Sequence, residues 1–138
     1  MEFENNELKL TYPSFWELKE HDSDNCILIL DHEHKKSRIM LLKYPEDGIN
    51  LNYLKSAVET IPRSETLKII DSRLTSIKDF DVHKFQAIDM THEPPLKTRS
   101  IGLIHNKDAY LFDYFTFGLN NPEDSDLDEE IIKSLTFK

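Results

Sequence analysis

Short apolar runs separated by polar stretches dominate the chain, and they predict β-strands. Cys26 to Leu30 and Ile39 to Leu42 are continuously apolar over the length of a strand, which is typical of strands covered on both faces. Eight polar residues, 31–38, connect the two runs. A polar connection of this length predicts a β-hairpin, with the segment Asp-His-Glu-His-Lys-Lys at positions 31–36 at its tip.

The same criteria predict strands along most of the remaining chain. Asn106, Lys107 and Asp108 separate the last two strands and predict a tight turn, because Asn and Asp tolerate the left-handed backbone. Pro94 and Pro95 mark a loop before them. The further predicted strands are 8–12, 67–77, 82–90, 98–105 and 109–117.

Two segments show helical periodicity instead. The first, 49–61, ends before Pro62, and the second follows a break at 120–122 near the C-terminus. Each carries apolar residues at a spacing that places them on one helix face. These residues are Leu51, Leu54, Val58 and Ile61 in the first helix and Leu127, Ile131, Ile132 and Leu135 in the second.

This order of elements predicts an α+β fold. Strands joined by short turns are antiparallel, and amphipathic helices bury their apolar stripes on the sheet. We therefore expect a twisted antiparallel sheet of about six strands flanked by helices, as in an α/β/α sandwich. The length of 138 residues favours one domain, 1–138. The acidic residues 1–7 are expected to form a loose N-terminal tail.

Charge and composition narrow the classes of partner. A formal net charge of −9 disfavours binding to nucleic acid and to anionic membranes. The N-terminus lacks the apolar core of a signal peptide, and no apolar run approaches the roughly 20 residues of a membrane span. Cys26 is the one cysteine, so no intramolecular disulfide can form, which fits a cytoplasmic protein.

The hairpin tip carries the strongest candidate for a metal site. His32 and His34 alternate on a strand and therefore share one face, as ligands of one metal ion do. Zinc needs three or four ligands. Asp31 and Glu33 are near in sequence, and the histidines at 83, 92 and 105 are distant candidates. The alternative is a solvated loop tip, which we favour, so no metal or cofactor is expected.

A second acidic segment, 124–128, resembles the start of a calcium-binding loop. The pattern then fails, because Glu129 stands where that loop needs Gly and Leu135 where it needs Glu. We expect the segment to begin a helix instead, where carboxylates favour the macrodipole. Asp126 and Glu129 have the spacing of a capping box.

Motifs of catalysis are missing from the sequence. There is no Gly-rich phosphate loop, no G-x-S-x-G sequence and no cluster of Cys and His. Cys26 begins an apolar strand and is expected to be buried and inert. The aromatic residues Trp16, Tyr110, Phe112 and Tyr114 are expected in the core, or, if exposed, in a binding patch.

The proline-rich loop is the best candidate for a protein-contact surface. It combines mixed charge with a rigid centre, and loops often carry binding residues. The candidate contact residues are Glu93, Pro94, Pro95, Lys97 and Arg99.

Three local motifs resemble the PsbP-like superfamily. The segment 12–16, Tyr-Pro-Ser-Phe-Trp, is similar to the start of these domains, and 106–114 is similar to their late hairpin. The segment 131–137 resembles their closing helix, which ends in Ser, an apolar residue and Phe. The element order between the motifs also matches. Departures are Asp108, where the family often has Gly, and an unusually acidic connection before the last helix.

This resemblance implies an α/β/α sandwich around an antiparallel sheet. Members include the extrinsic photosystem II protein and a Ran-GTPase-binding nuclear transport factor, and the chain is more similar to small stand-alone prokaryotic members. These proteins bind other proteins and are not enzymes as a rule, so no catalytic residues are carried over. The resemblance implies a protein-interaction module.

Two other functions stay open at this point. One is a small-molecule or metal-binding protein that uses residues 31–34 or a pocket between sheet and helix. The other is a hydrolase without a recognisable motif. The sequence leaves the partner and the oligomeric state undetermined.

The metal hypothesis has a direct test. If the hairpin tip is only a solvated loop, titration of the protein with zinc in a calorimeter gives equally negligible heats for the wild type and for His32→Ala. A saturable heat that the substitution removes would establish a zinc site at His32 and contradict this expectation.

Overall fold

The computed structural model of the protein describes residues 1–32, 36–44, 49–62, 64–117 and 126–138. Within these ranges the chain forms ten strands and two helices. They are β1 (Glu2–Glu4), β2 (Leu8–Thr11), β3 (Trp16–Lys19), β4 (Cys26–His32), β5 (Ser37–Tyr44), α1 (Leu51–Glu59), β6 (Leu67–Ile77), β7 (Phe80–Asp89), β8 (Leu96–His105), β9 (Asp108–Phe117), α2 (Leu127–Ser134) and β10 (Thr136–Phe137).

Seven strands form the main sheet, in the order β3-β4-β5-β9-β8-β7-β6. Every neighbouring pair is antiparallel, as the short predicted turns required. The hairpin predicted around residues 31–38 is confirmed, with Asp31 opposite Arg38. The expected count of about six strands is one too low. The missed strand is β3, with Trp16 opposite His32, which alternates apolar and polar residues over only four positions.

The N-terminus belongs to a second sheet of three strands, in the order β1-β2-β10. The expected loose tail at residues 1–7 is therefore wrong. Phe3 lies opposite Leu10 in the ladder, and the N-terminal ammonium of Met1 donates a hydrogen bond of 2.9 Å to the carbonyl oxygen of Tyr12. The central strand β2 carries Leu8 and Leu10, which are fully buried, and it anchors β1 and β10 on its two sides.

Alternation of side chains gives the main sheet two different faces. The inner face, defined by Leu30, Leu41, Phe112 and Leu103, is fully buried and forms the hydrophobic core together with residues of β2 and α2. The predicted core positions are confirmed, since Trp16, Tyr110, Phe112, Tyr114 and Cys26 are all buried. The outer face carries residues such as Met40, Phe115 and Gly102, which alternate with the inner ones.

Helix α2 is held to the inner face by a buried ion pair. Asp128 is only 1% exposed, and its carboxylate accepts hydrogen bonds from Nη2 and Nε of Arg99, at 2.5 and 3.2 Å. Burial raises the pKa of Asp128, and the Arg99 guanidinium opposes that rise. Glu129 pairs with Lys84 of β7. The Glu129 carboxylate is therefore not the partner of the N-cap residue. Asp126 caps α2 without a side-chain hydrogen bond, so the predicted capping box is wrong.

Helix α1 lies on the outer face over Gly102. The helix begins after Asn50, whose Oδ1 accepts a hydrogen bond of 2.8 Å from the amide of Tyr53, as expected for an N-cap. A Cβ atom added to Gly102 would lie 2.7 Å from Leu54 Cδ1 and 2.9 Å from Leu111 Cδ2. Glycine is therefore the residue that allows α1 to approach the sheet this closely.

Arg99, which pairs with Asp128 of α2, and Gly102, which lies under α1, face opposite sides of β8, since they are three positions apart in a strand with regular pairing. Among the described residues, α1 contacts β6, β7 and β8, whereas α2 contacts β2 and β6. Each helix therefore lies against only part of the main sheet, and a complete α/β/α sandwich stays a prediction. Neither helix in the described part of the chain is long and apolar enough to cross a membrane.

The close approach of α1 to Gly102 predicts that substitutions at Gly102 and Leu54 are coupled in their effect on the free energy of unfolding. We expect Gly102→Ala to lower the free energy of unfolding by about 1–3 kcal/mol, because the added methyl group overpacks the contact with α1. Urea unfolding followed by circular dichroism measures this loss. In a Leu54→Ala background the same change is expected to cost less, because the truncated side chain leaves room. Strictly additive losses would contradict the proposed contact.

Candidate binding groove

A groove of about 500 Å³ lies at the end of the main sheet where β4 ends and β5 begins. It brings together residues from β4, β5, β8 and β9 and the residue that precedes β5. Its lining consists of Asp31, His32, Lys36, Ser37, Arg38, Met40, Leu96, Phe115 and Phe117. The groove therefore adjoins both segments singled out in the sequence, the hairpin at 31–36 and the proline-rich loop that ends at Leu96.

The floor of the groove is apolar. Met40 and Phe115 lie on the outer face of β5 and β9, and Leu96 lies opposite Phe117 in the β8–β9 ladder. Phe117 is 40% exposed, although its ring contacts His92 at a centroid distance of 5.8 Å. An exposed aromatic ring beside other apolar side chains is typical of a surface that binds a partner.

One rim of the groove is charged. Arg38 Nε donates a hydrogen bond of 2.6 Å to Asp31 Oδ1, and Nη2 donates one of 2.9 Å to Oδ2. This bidentate contact lowers the pKa of Asp31 and raises the pKa of Arg38. The rim is consequently ionised at neutral pH. Lys36 adds a second positive charge to the groove lining.

Ser37 contributes a buried polar group to the lining. The residue is 6% exposed, and its hydroxyl has no hydrogen-bond partner among the residues that the structure describes. A buried hydroxyl is almost always hydrogen-bonded in a folded protein. The alternation along β5 places this side chain on the inner face with Ile39 and Leu41, and not on the outer face with Arg38 and Met40.

The metal hypothesis for the hairpin is not supported by a ligand cluster. His34 lies outside the described residues, and the ring of His32 packs against Trp16 at a centroid distance of 5.1 Å and against Phe15 at 5.3 Å. Among the described residues no group of three His, Cys, Asp or Glu side chains is arranged to hold a metal ion. That the hairpin tip with His32 and His34 binds no metal stays a prediction for the titration above.

The three distant histidines each have other contacts. His83 is buried beneath α1, where its Nε2 lies 3.0 Å from the hydroxyl of Ser72, and burial lowers its pKa. The ring of His105 stacks on Phe137 at 3.9 Å. His92 lies 3.6 Å from Asp89.

The acidic segment at 124–128 is only partly described. Residues 124 and 125 lie outside the described residues, and the carboxylate of Asp128 is bound by Arg99. That contact removes one of the oxygen ligands on which the calcium-loop resemblance depended.

The predicted contact residues divide into two groups. Glu93 and Pro94 are exposed and Pro95 is half-buried in the loop before β8. The strand begins earlier than expected, at Leu96, so Lys97 and Arg99 belong to β8 and not to the loop. Arg99 is bound to Asp128, because the strand turns its side chain toward α2. A contact role for the loop residues 93–95 stays a prediction.

A half-buried carboxyl group that the sequence analysis missed lies beside the groove. Asp113 is opposite Met40 in the β5–β9 ladder, and its Oδ1 accepts a hydrogen bond of 2.6 Å from the hydroxyl of Ser100. Burial raises the pKa of Asp113, and the bond from Ser100 opposes that rise. The one signal in the sequence was its place as the single acidic residue in an otherwise aromatic stretch.

Cys26 has the properties expected of an inert thiol. Its Sγ donates a hydrogen bond of 3.4 Å to the carbonyl oxygen of Leu28, and burial raises its pKa. A raised pKa keeps the thiol protonated and weakly nucleophilic at neutral pH.

No protein-family model and no curated protein matches the sequence. Solved structures do share the fold. Cyanobacterial PsbP (CyanoP) from Synechocystis sp. PCC 6803 has a TM-score of 0.72 at 8% identity, covering 100% of this chain and 92% of that one. LpqN of Mycobacterium tuberculosis, a protein involved in cell envelope biogenesis, has a TM-score of 0.67 at 11% identity, covering 95% and 83%.

A third structure, of a protein from Bacteroides thetaiotaomicron, has a TM-score of 0.69 at 10% identity and covers 95% of this chain. This chain spans only 45% of that protein. At these identities the likeness concerns the fold. The chain has the PsbP-like fold that its three sequence motifs predicted.

The half-buried carboxyl group of Asp113 predicts a gain in stability on substitution. Because the pKa of Asp113 is raised in the folded protein, wild-type stability falls as the pH rises from the ordinary aspartate pKa through this raised value. We expect Asp113→Asn to increase the free energy of unfolding at pH 7 by on the order of 1 kcal/mol. The gain should shrink as the pH falls below the ordinary aspartate pKa.

Thermal unfolding at a series of pH values measures this difference. Asp81→Asn, which removes an exposed carboxylate from the neighbouring part of the sheet, is the matched control and should show no comparable gain. A destabilised Asp113→Asn variant at pH 7 would mean that the charged form is the one that the fold requires.

Proposed function

We propose that the protein is a non-enzymatic binding module that holds an apolar segment of another protein in the groove. The observation that carries this proposal is the apolar floor with its exposed ring of Phe117 beside a charged rim. A partner segment that covers the floor removes apolar surface from water, which stabilises a complex by about 25 cal/mol per Å². Phe117 is the expected centre of the binding energy, as large aromatic residues often are.

Polar groups around the floor would orient the bound segment. Lys36 and the outward side of Arg38 favour an acidic residue near one end of the segment, because complementary charge increases the rate and specificity of association. The loop residues Glu93, Pro94 and Pro95 adjoin Leu96 and would extend the contact surface.

The fold supports this proposal without deciding it. The PsbP-like resemblance implies proteins that bind other proteins, and the sequence motifs of catalysis are missing. We include in the proposal a cytoplasmic location and a complete α/β/α sandwich around the sheet. A protein partner, and neither nucleic acid nor membrane, fits the net charge of −9.

A small-molecule site is the second candidate, because a volume of about 500 Å³ lies in the range of ligand pockets. Such pockets bury most of the ligand surface. Here Phe117 is 40% exposed and the side chain of Arg38 is 49% exposed. Walls this open favour an extended segment of a larger partner over an enclosed small molecule.

Peptide selection on the immobilised protein tests the proposal. Peptides enriched from a random phage-displayed library are measured by fluorescence polarisation against the wild type, Phe117→Ser and Tyr53→Ser. We expect Phe117→Ser to weaken binding at least about tenfold, as for a central aromatic contact. Tyr53→Ser is the matched control, since Tyr53 is 56% exposed on α1 and is not part of the groove lining.

Two results would contradict the protein-binding proposal. One is a failure to enrich any peptide that binds the wild type, and the other is equal binding to all three proteins. If an apolar dye such as anilinonaphthalene sulfonate instead binds saturably to the wild type, and Phe117→Ser abolishes that binding, the small-molecule candidate is favoured.

A further inference from the structure

Strand β6 forms one edge of the main sheet and has an unpaired side within the described structure. It is eleven residues long and pairs with β7 alone. Ile70 and Leu74 are 53% and 45% exposed. Natural proteins usually protect an edge of this length, because its free backbone groups are a template for pairing with another strand.

The charges of β6 are arranged so that the strand complements itself. In an antiparallel ladder, two residues that lie directly opposite each other have their backbone N–H and C=O groups in matching orientation, and this orientation alternates from one residue to the next along a strand. If two copies of β6 pair about a two-fold axis, the residue at the centre of the ladder must therefore lie opposite the same residue of the other copy. A register centred on Asp71 or on Arg73 places two like charges directly opposite, which is destabilising.

The register centred on Ser72 has the opposite property. It places Asp71 of each copy opposite Arg73 of the other, and it brings Leu74 of each copy near the bulged residue Ile70 of the other. Two ion pairs and two apolar contacts then form within five residues. Cross-strand pairs of both kinds stabilise an antiparallel ladder.

The monomer leaves Arg73 in a position that a second copy would improve. Arg73 lies directly opposite Lys84 in the β6–β7 ladder, so like charges are neighbours on that side. Its contact with Asp71 of the same strand is 3.3 Å, and both side chains are well exposed. Lys84 is paired with Glu129, and on the free side a carboxylate from the partner strand would give Arg73 a cross-strand partner of its own.

We propose that two copies of this chain associate edge to edge through β6, in the antiparallel register centred on Ser72. The two seven-stranded sheets become one continuous sheet across a two-fold axis. The groove is lined by residues of β4, β5, β8 and β9 and by Lys36, so none of its lining residues lies on β6. The dimer therefore forms independently of the proposed function.

The expected dimer is weak and depends on concentration. The bulge between Ile69 and Asp71 interrupts the regular ladder, and by symmetry it limits the pairing to residues 70–74 of each copy. So short a ladder buries less surface than the roughly 800 Å² per partner of a stable complex. Two acidic chains, each with a charge of −9, also repel each other at long range.

Sedimentation equilibrium over a concentration series, from micromolar to near-millimolar protein, tests the proposal. We expect Asp71→Arg and Arg73→Asp, taken singly, each to weaken the wild-type dimer at least about tenfold, because each replaces attraction by like-charge repulsion. The double variant with both changes keeps the complementarity in reversed order and should dimerise as the wild type does. An equimolar mixture of the two single variants should form heterodimers.

The double variant and the mixture separate the interface from any loss of folding, which circular dichroism monitors for each protein. A wild type that stays monomeric at every concentration overturns the proposal. So does a dimer that both single variants form unchanged, or one that the double variant fails to restore. A dimer that Phe117→Ser abolishes would place the interface at the groove instead.

Discussion

The width of the main sheet is the constraint on which the rest of the structure depends. Seven strands about 4.8 Å apart span roughly 29 Å, and one helix is about 10 Å across. The inner face is covered by α2 and the three-stranded sheet, which share one core. On the outer face the described helix α1 contacts β6, β7 and β8. The outer face of β5 and β9 therefore contributes Met40 and Phe115 to an open groove.

Polar contacts fix the covering elements on the inner face. Arg99 holds α2 through the buried Asp128, a pair in which loss of one partner leaves an uncompensated charge. At the opposite end of the sheet, Glu7 accepts hydrogen bonds from Lys43 and from the hydroxyl of Tyr110. Burial raises the pKa of Tyr110 to about 12. These contacts bring polar and charged groups of β5, β8 and β9 against the smaller sheet and α2.

The two associations proposed here use separate surfaces, the outer face and the edge strand β6. The groove lies beside the β4–β5 hairpin and the loop before β8, whereas β6 forms the edge beyond β7. Asp113 and Gly102 both lie on the outer face between these regions. Neither position is explained by the hydrophobic pattern alone, since Gly102 serves the approach of α1 and Asp113 is a carboxyl group in an apolar setting.

The sequence by itself determined the longer strands, both helices, the hairpin at 31–38 and the aromatic core, because side-chain periodicity and turn residues act locally. It did not reveal β1, β3 or β10, whose two to four residues are too short for a periodic signal. The groove, the ion pair of Arg99 with Asp128 and the burial of Asp113 were decided by tertiary structure alone. Each depends on residues far apart in the chain, and only the pairing of strands brings them into contact.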